Sequence, residues 1–216
     1  EFLKEGLGIR DWGLGIGDWG LRVAAMKKTL RTFVAVEISQ PIRARAAELI
    51  AALANAPAGV KWVEPHNLHL TLKFLGEVHQ REAAAVCRAV EQAAGELPPF
   101  QFEVRGAGAF PSPARPRTVW IGAGKGDEQM VELHDRIEVR LAALGFREEH
   151  RRFQPHLTIG RARGGMGIAE LGEMVKQHAD FTAGVMLVEK TTVFSSTLTP
   201  DGPIHESIGT ARLGGA

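Results

Sequence analysis

Two short segments of the chain carry a histidine followed two residues later by a threonine, within similar patterns of aliphatic residues. The first pair is His69 and Thr71 in NLHLTLKFLG, and the second is His156 and Thr158 in QPHLTIGRAR. An imidazole has an unperturbed pKa of about 6.5, so near neutral pH one histidine can be protonated while another is neutral. Such a pair suits general acid and general base catalysis if the fold brings the two side chains together.

The chemistry that these residues indicate is displacement at phosphorus. One histidine would take a proton from an attacking water or hydroxyl group, and the other would protonate the leaving oxygen. The hydroxyl groups of Thr71 and Thr158 can donate hydrogen bonds to the non-bridging phosphoryl oxygens, where charge builds up in the transition state. Arg161, five residues after His156, adds a fixed positive charge.

Strand geometry explains how both motifs could present these groups, because side chains alternate between the two faces of a β-strand. In the first motif we expect the core face to be formed by Leu68, Leu70, Leu72 and Phe74. We expect the polar face to be formed by His69, Thr71 and Lys73. In the second motif the core face is formed by Phe153, Pro155, Leu157 and Ile159. The polar face is formed by Gln154, His156 and Thr158. The two copies indicate an internal duplication that brings both polar faces to one cleft. Lys73 follows the first motif and Arg161 the second, and we expect this difference to separate the acid from the base.

The surrounding hydrophobic periodicity predicts helices and strands without regular alternation. The predicted helices are residues 40–56, 80–96, 127–146 and 168–178, and the third carries an apolar stripe of Met130, Leu133, Ile137, Leu141 and Leu144. The predicted strands are residues 32–38, 60–63, 67–76, 100–110, 117–124, 153–162 and 181–194, followed by two β-prone runs around the turn PDGP. This irregular order favours an α+β fold with antiparallel sheets covered by helices on one face.

Residues 1–25 differ from the rest of the chain, because GLGIRDW is followed directly by GLGIGDW. Glycine is too frequent there for a stable helix, and one repeated unit is too short for a solenoid. We interpret this segment as a low-complexity Gly/Trp extension outside the fold. Met26 opens a segment typical of a natural start, so residues 26–216 are predicted to form a single domain.

The composition limits the kinds of protein that this chain can be. It is 44% hydrophobic and 24% charged, as in soluble globular proteins, and no apolar run approaches the roughly 20 residues of a membrane-spanning helix. We therefore expect a cytoplasmic protein without a membrane partner. The single cysteine, Cys87, excludes an internal disulfide, and the apolar pattern around it indicates a buried thiol on a helix.

A net charge of +1 excludes a protein that coats nucleic acid by bulk electrostatic attraction. Charge is nevertheless concentrated around the second motif, where arginines could attract a phosphate or form a solvated basic edge. These arginines are Arg147, Arg151, Arg152, Arg161 and Arg163.

Taken together, these segments resemble the 2H phosphoesterase superfamily, named for its two His-x-Thr motifs, and specifically its RNA 2′,3′-cyclic phosphodiesterase branch. The resemblance covers nearly all of residues 26–216. Besides the motifs it rests on RTFVAVEI, LKFLGEV, RTVWIG and TLTPDGP, whereas IHESI near the end is less typical. It implies a bilobal fold, in which two pseudo-symmetric antiparallel sheets with outer helices surround a central groove.

The resemblance also implies roles for the candidate residues. His69 would be the proton donor to the departing ribose oxygen and His156 the proton acceptor that activates water, while Thr71, Thr158 and Arg161 would hold the phosphate. The substrate would be RNA with a 2′,3′-cyclic phosphate end, such as a tRNA fragment, or a nucleotide, and the product a 2′-phosphate. Neither a metal nor another cofactor would be required, and we expect a monomer.

Two other functions are compatible with the same residues. A zinc-dependent hydrolase would need several histidines to gather round the ion, from the set His66, His69, His150, His156 and His205. An RNA-binding module without catalysis would use the groove and its basic edge alone. If the ligand is RNA, Phe110, Trp120 and Phe153 are candidates for stacking on bases, or else they belong to the core.

Overall fold

The computed structural model describes residues 29–200 and 202–215, so the predicted extension, residues 1–25, lies outside the described residues. The helices are α1 (Gln40–Leu53), α2 (Gln80–Gly95), α3 (Asp127–Ala142) and α4 (Ile168–Gln177). The strands are β1 (Thr29–Glu37), β2 (Val60–Trp62), β3 (His69–His79), β4 (Phe100–Phe110), β5 (Thr118–Ala123), β6 (Leu157–Ala162), β7 (Thr182–Val188), β8 (Lys190–Thr199) and β9 (Gly202–Arg212). None of the helices in this part of the chain is long and apolar enough to cross a membrane.

The strands form one continuous antiparallel path with the two motif strands, β3 and β6, adjacent at its centre. From this junction the order outward is β3, β1, β8, β9 on one side and β6, β5, β4, β7 on the other, while β2 pairs with β6. Each half of the sheet therefore has its motif strand at the inner edge, next to the other half. The predicted α+β, two-lobed architecture is confirmed, and the two sheets meet at a single pairing, Leu70 opposite Leu157.

The helices cover the two halves and close the core. Helices α2 and α3 pack against each other and over β3, β8 and β9, whereas α1 and α4 pack over β4, β6 and β7. Cys87 lies on α2, where it is only partly buried and its Sγ is 3.7 Å from the carbonyl oxygen of Ile208. Burial raises the pKa of this thiol, so it is protonated near neutral pH.

The apolar stripe of α3 is as predicted except at its end. Met130, Leu133, Ile137 and Leu141 are fully buried, but Leu144 lies beyond the helix, which ends at Ala142, and is 46% exposed. Gly145 adopts a left-handed conformation (φ 89°), and the amide of Phe146 donates to the carbonyl of Leu141. This C-terminal turn packs Phe146 on the core in place of Leu144.

The predicted single strand at residues 181–194 is wrong, because two strands occupy this stretch. Strand β7 ends at Val188 and pairs with β4, whereas β8 begins at Lys190 and pairs with β1 in the other half. The sequence between them carries neither glycine nor proline to mark the break. The carbonyl oxygen of Glu189 at the break accepts a 2.8 Å hydrogen bond from the amide of Leu213.

The predicted alternation in β3 holds at first and then reverses. Ala35 of β1 is opposite Thr71 and Val34 is opposite Lys73, so Leu72 is an extra residue that forms a β-bulge. Leu72 and Lys73 are both buried, while Phe74 is 58% exposed. The predictions that Lys73 lies on the polar face and Phe74 in the core are therefore wrong.

Candidate active site

The junction between the motif strands places their polar side chains beside one another. Leu70 and Leu157 are directly opposite and both are buried, so the preceding and following residues point to the other face of the sheet. Extending this antiparallel register by one residue on each side places His69 across from Thr158, and Thr71 across from His156, which immediately precedes β6. Each motif thus places its histidine next to the threonine of the other motif.

The two histidines are held in the same way. The Nδ1 atom of His69 is 2.7 Å from the carbonyl oxygen of Asn67, and that of His156 is 2.8 Å from the carbonyl oxygen of Gln154. A carbonyl oxygen only accepts hydrogen bonds, so in both rings Nδ1 carries the hydrogen and donates it. Nε2 is consequently the nitrogen of each ring that is available to take up or release a proton.

The surroundings of both imidazoles disfavour their charged forms. Burial lowers the pKa of His69 to about 4. The hydrogen bond to Asn67 acts in the opposite direction and raises this pKa, while the nearby His205 lowers it by a smaller amount. Burial also lowers the pKa of His156, with the positive charge of Arg161 acting in the same direction. A phosphate anion bound between the two rings would raise both pKa values, because it favours the imidazolium form.

A cavity of about 470 Å³ contains four of the five predicted site residues, His69, Thr71, Thr158 and Arg161. Arg31 and Lys61 also line it, and Glu64 is the one acidic residue among its described lining residues. The Nη1 atom of Arg161 donates a 3.5 Å hydrogen bond to Oγ1 of Thr118 on the neighbouring strand. The cavity is therefore positively charged, as an anion-binding site requires.

Three aromatic residues line this cavity, Phe33, Trp62 and Phe74, and none of them was predicted as a site residue. Trp62 of β2 is paired with Gly160, where a Cβ atom would lie 2.6 Å from the indole ring. Only glycine at this position lets the tryptophan lie so close to the motif strand. Phe74 lines the cavity because of the bulge in β3, which the alternation pattern could not reveal.

The fifth residue, His156, lines a neighbouring cavity of about 590 Å³. The ring of Phe110 meets that of His156 edge-on, with centroids 5.1 Å apart. All three aromatic residues named as candidates for base stacking or for the core, Phe110, Trp120 and Phe153, line this second cavity, as does Arg152 of the basic edge. The other arginines of that edge, Arg147, Arg151 and Arg163, are exposed.

His205 of β9 lies next to His69, although its sequence context suggested only the zinc alternative. The two imidazole centroids are 5.4 Å apart with the rings at 89°, and Phe33 lies 4.9 Å from each of them. Burial lowers the pKa of His205 as well. No sequence signal connects His205 with His69, because their proximity arises from the placement of β9 in the sheet.

The histidines proposed to bind zinc are not assembled as that hypothesis requires. Within residues 29–200 and 202–215 the one group of three residues whose ligand atoms lie close enough for a metal ion is His134, Glu138 and Glu149. None of the five histidines named in the zinc alternative belongs to it. The geometry at the motifs favours acid–base chemistry over a zinc centre there.

The LigT-like phosphoesterase family model matches residues 36–120 and again residues 121–205. Each match contains one of the two His-x-Thr motifs. The chain belongs to the LigT-like phosphoesterase family. The two successive matches agree with the internal duplication indicated by the paired motifs, and this family membership confirms the resemblance seen in the sequence.

Individual relatives cover most of the chain. A protein from Methanothermobacter thermautotrophicus named RNA 2′,3′-cyclic phosphodiesterase is 35% identical over 184 residues, covering 85% of this chain and 99% of the relative. An Archaeoglobus fulgidus protein of the same name is 36% identical over 179 residues, covering 83% and 98%.

Solved structures of similar proteins have the same fold. A Thermus thermophilus protein superposes with a TM-score of 0.72 at 26% identity, covering 86% of this chain and 99% of that chain. Escherichia coli LigT, crystallised with 3′-AMP, gives a TM-score of 0.70 at 25% identity, covering 86% and 98%.

Proposed function

We propose that this protein hydrolyses RNA 2′,3′-cyclic phosphate ends to 2′-phosphates by acid–base catalysis with His69 and His156. The observation that carries this proposal is the pairing at Leu70 and Leu157, which sets two histidines with matched orientation beside the threonine of the opposite motif. The names of the relatives supply the substrate class.

In the proposed reaction Nε2 of His156 takes a proton from a water molecule, whose oxygen attacks phosphorus. The bond between phosphorus and the 3′ oxygen breaks, and Nε2–H of His69 gives its proton to that oxygen. The phosphate stays attached to the 2′ oxygen. Thr71, Thr158 and Arg161 donate hydrogen bonds to the non-bridging oxygens and so stabilise the charge of the transition state.

The lowered pKa values mean that the acid depends on the substrate for its proton. At pH 7 a histidine with a pKa of about 4 is almost entirely neutral. The cyclic phosphate carries one negative charge, which favours protonation of an adjacent imidazole. Binding of the substrate thus helps to produce the protonation state in which one ring is an acid and the other a base.

The groove around the site supports RNA as the partner. Arg31, Lys61 and Arg161 line the central cavity, together with Trp62 and Phe74, whose rings are suited to stacking on bases. A tRNA fragment, another RNA end or a nucleotide would all present the reacting group. We further propose that catalysis needs no metal or cofactor, and that the protein acts as a cytoplasmic monomer.

An RNA-binding module without catalysis is the remaining alternative. Binding alone does not require two titrating groups whose free Nε2 atoms are prepared by the same hydrogen bond. The matched arrangement therefore favours the enzyme.

Replacing each motif histidine by alanine tests the proposal. With an RNA oligonucleotide ending in a 2′,3′-cyclic phosphate, we expect His69→Ala and His156→Ala each to lower kcat by about 10² to 10⁴-fold while binding is retained. His79→Ala, an exposed histidine at the end of the same strand β3, is the matched control and should retain activity. A loss of less than about threefold in both motif variants would exclude this mechanism.

A further inference from the structure

A buried polar cluster lies behind the first motif strand, on the side away from the groove. The side chain of Lys73 is 1% exposed, and its Nζ is 2.5 Å from Oε1 of Glu138 on α3. The same Nζ donates a 2.9 Å hydrogen bond to the carbonyl oxygen of Arg147. Glu138 Oε2, by contrast, is buried without a hydrogen-bond partner among the described residues.

His134 belongs to the same cluster, one helical turn before Glu138, and is 4% exposed. Its Nδ1 is 2.8 Å from Oδ1 of Asp135, and because a carboxylate accepts, Nδ1 carries the hydrogen. In the neutral ring the lone pair is therefore on Nε2. This atom is buried, has no hydrogen-bond partner in the described part of the chain, and is 3.6 Å from Oε1 of Glu138.

His134 Nε2 and Glu138 Oε2 are each buried without a donor, which is costly because both acceptors have lost their hydration. A cation between them removes this cost. Glu149, on the exposed segment that follows α3, brings a third ligand, and one ligand atom from each of His134, Glu138 and Glu149 lies within 4.8 Å of the others. This spacing suits an ion bound at about 2.0–2.2 Å from nitrogen and oxygen atoms, after a small closure of the exposed glutamate.

We propose that His134, Glu138 and Glu149 form a structural binding site for Zn²⁺. The supporting contacts are those that zinc ligands require. Metal-bound histidines donate their other N–H to a carboxylate, as His134 does to Asp135, and metal-bound carboxylates are held by further hydrogen bonds, as Lys73 holds Glu138. A water molecule would complete four-fold coordination.

The site joins the helix to the second motif. The ring of Phe153 stacks on that of His134, with centroids 4.1 Å apart and planes 1° apart. Phe153 immediately precedes Gln154, whose carbonyl oxygen holds His156. A bound ion would therefore attach residues 143–156 to α3, independently of the chemistry in the groove.

The test is titration of metal-stripped protein with Zn²⁺ by calorimetry, together with the visible spectrum of the Co²⁺-substituted protein. We expect one ion per chain and a tetrahedral Co²⁺ spectrum. Asp135→Asn should weaken Zn²⁺ binding by about 10 to 100-fold, and Glu149→Gln, on an exposed residue, by at least as much. Glu148→Gln is the matched control and should bind as the wild type does.

His205→Ala and His66→Ala should also bind Zn²⁺ normally, because these histidines line a cavity beside His69 and are not part of the proposed zinc cluster. Absence of Zn²⁺ binding to the wild type would overturn the proposal. Binding that Glu149→Gln leaves unchanged would overturn it equally, since the ion would then lie elsewhere. Neither result depends on turnover of a cyclic phosphate.

Discussion

At the scale of single residues, the two histidines are alike in tautomer and unlike in surroundings. His69 lies against Phe33 and His205, whereas His156 lies against Phe110 and near the charge of Arg161. The sequence predicted that Lys73 and Arg161 would distinguish the two motifs. Lys73 is instead buried behind the sheet, so the difference in the groove is between His205 and Arg161.

The pH dependence of kcat/KM follows from these surroundings. In the free enzyme the pKa values of both motif histidines are lowered, that of His69 to about 4, so both limbs of the profile should lie below the ordinary pKa of about 6.5. The required acid is lost as pH rises through its lowered pKa, and kcat/KM should therefore already be declining with rising pH at neutrality. The profile of kcat should lie at higher pH, because the bound anion raises both pKa values.

His205→Ala should move a limb of the kcat/KM profile to higher pH. The change opens the surroundings of His69 and removes the neighbouring imidazole, and both effects favour the charged form of His69. The profiles are measured with substrate below KM in buffers of constant ionic strength. A limb that stays in place, or that moves to lower pH, would contradict the assignment.

At the scale of elements, periodicity predicted the four helices and most strands. The second motif strand was predicted too long, because β6 begins only at Leu157 and residues 153–156 lie outside it. Periodicity failed at the bulge in β3 and at the break between β7 and β8. Both features depend on the partner strand: a bulge shifts the pairing with β1, and the break transfers the chain from one half of the sheet to the other. A pattern of hydrophobic residues carries neither piece of information.

The buried ion pair between β3 and α3 provides a prediction about stability. In metal-stripped protein, Lys73→Met leaves the carboxylate of Glu138 buried without a cation, and we expect a loss of about 3–5 kcal/mol in the free energy of unfolding. The double variant Lys73→Met/Glu138→Leu should recover much of this loss. Denaturant unfolding measures the stability of the single and the double variant. The control is Lys176→Met, which removes an exposed ion pair with Glu173. A single variant as stable as the control would show that the pair is not needed.

At the scale of the whole molecule, the duplication explains why residues of both motifs line one cavity, with His156 in the cavity beside it. The candidate residues His69, Thr71, His156, Thr158 and Arg161 could be predicted because each motif repeats a local pattern. Trp62, Phe74 and His205 could not, because β2, the bulge and β9 reach the groove only through the arrangement of the sheet. The resulting cavity has more positive charge than a single cyclic phosphate needs.

Lys61 should accordingly contact a phosphate of the RNA upstream of the reacting end. We expect Lys61→Gln to raise KM for an oligonucleotide. We also expect the slope of the logarithm of its binding constant against the logarithm of the salt concentration to become smaller in magnitude by about 0.7 to 1. Hydrolysis of a cyclic mononucleotide should change little. Lys176→Gln, on α4 and outside the cavity, is the control. Equal effects on both substrates would place Lys61 at the reacting phosphate instead.

The most direct test of the central claim is ³¹P NMR of the products formed from an RNA oligonucleotide with a defined 2′,3′-cyclic phosphate, in the presence of excess chelator. The proposed mechanism predicts complete conversion to a 2′-phosphomonoester, and no conversion by the variant that lacks both motif histidines. An intact cyclic phosphate, a 3′-phosphomonoester product, or turnover that requires added metal would contradict it.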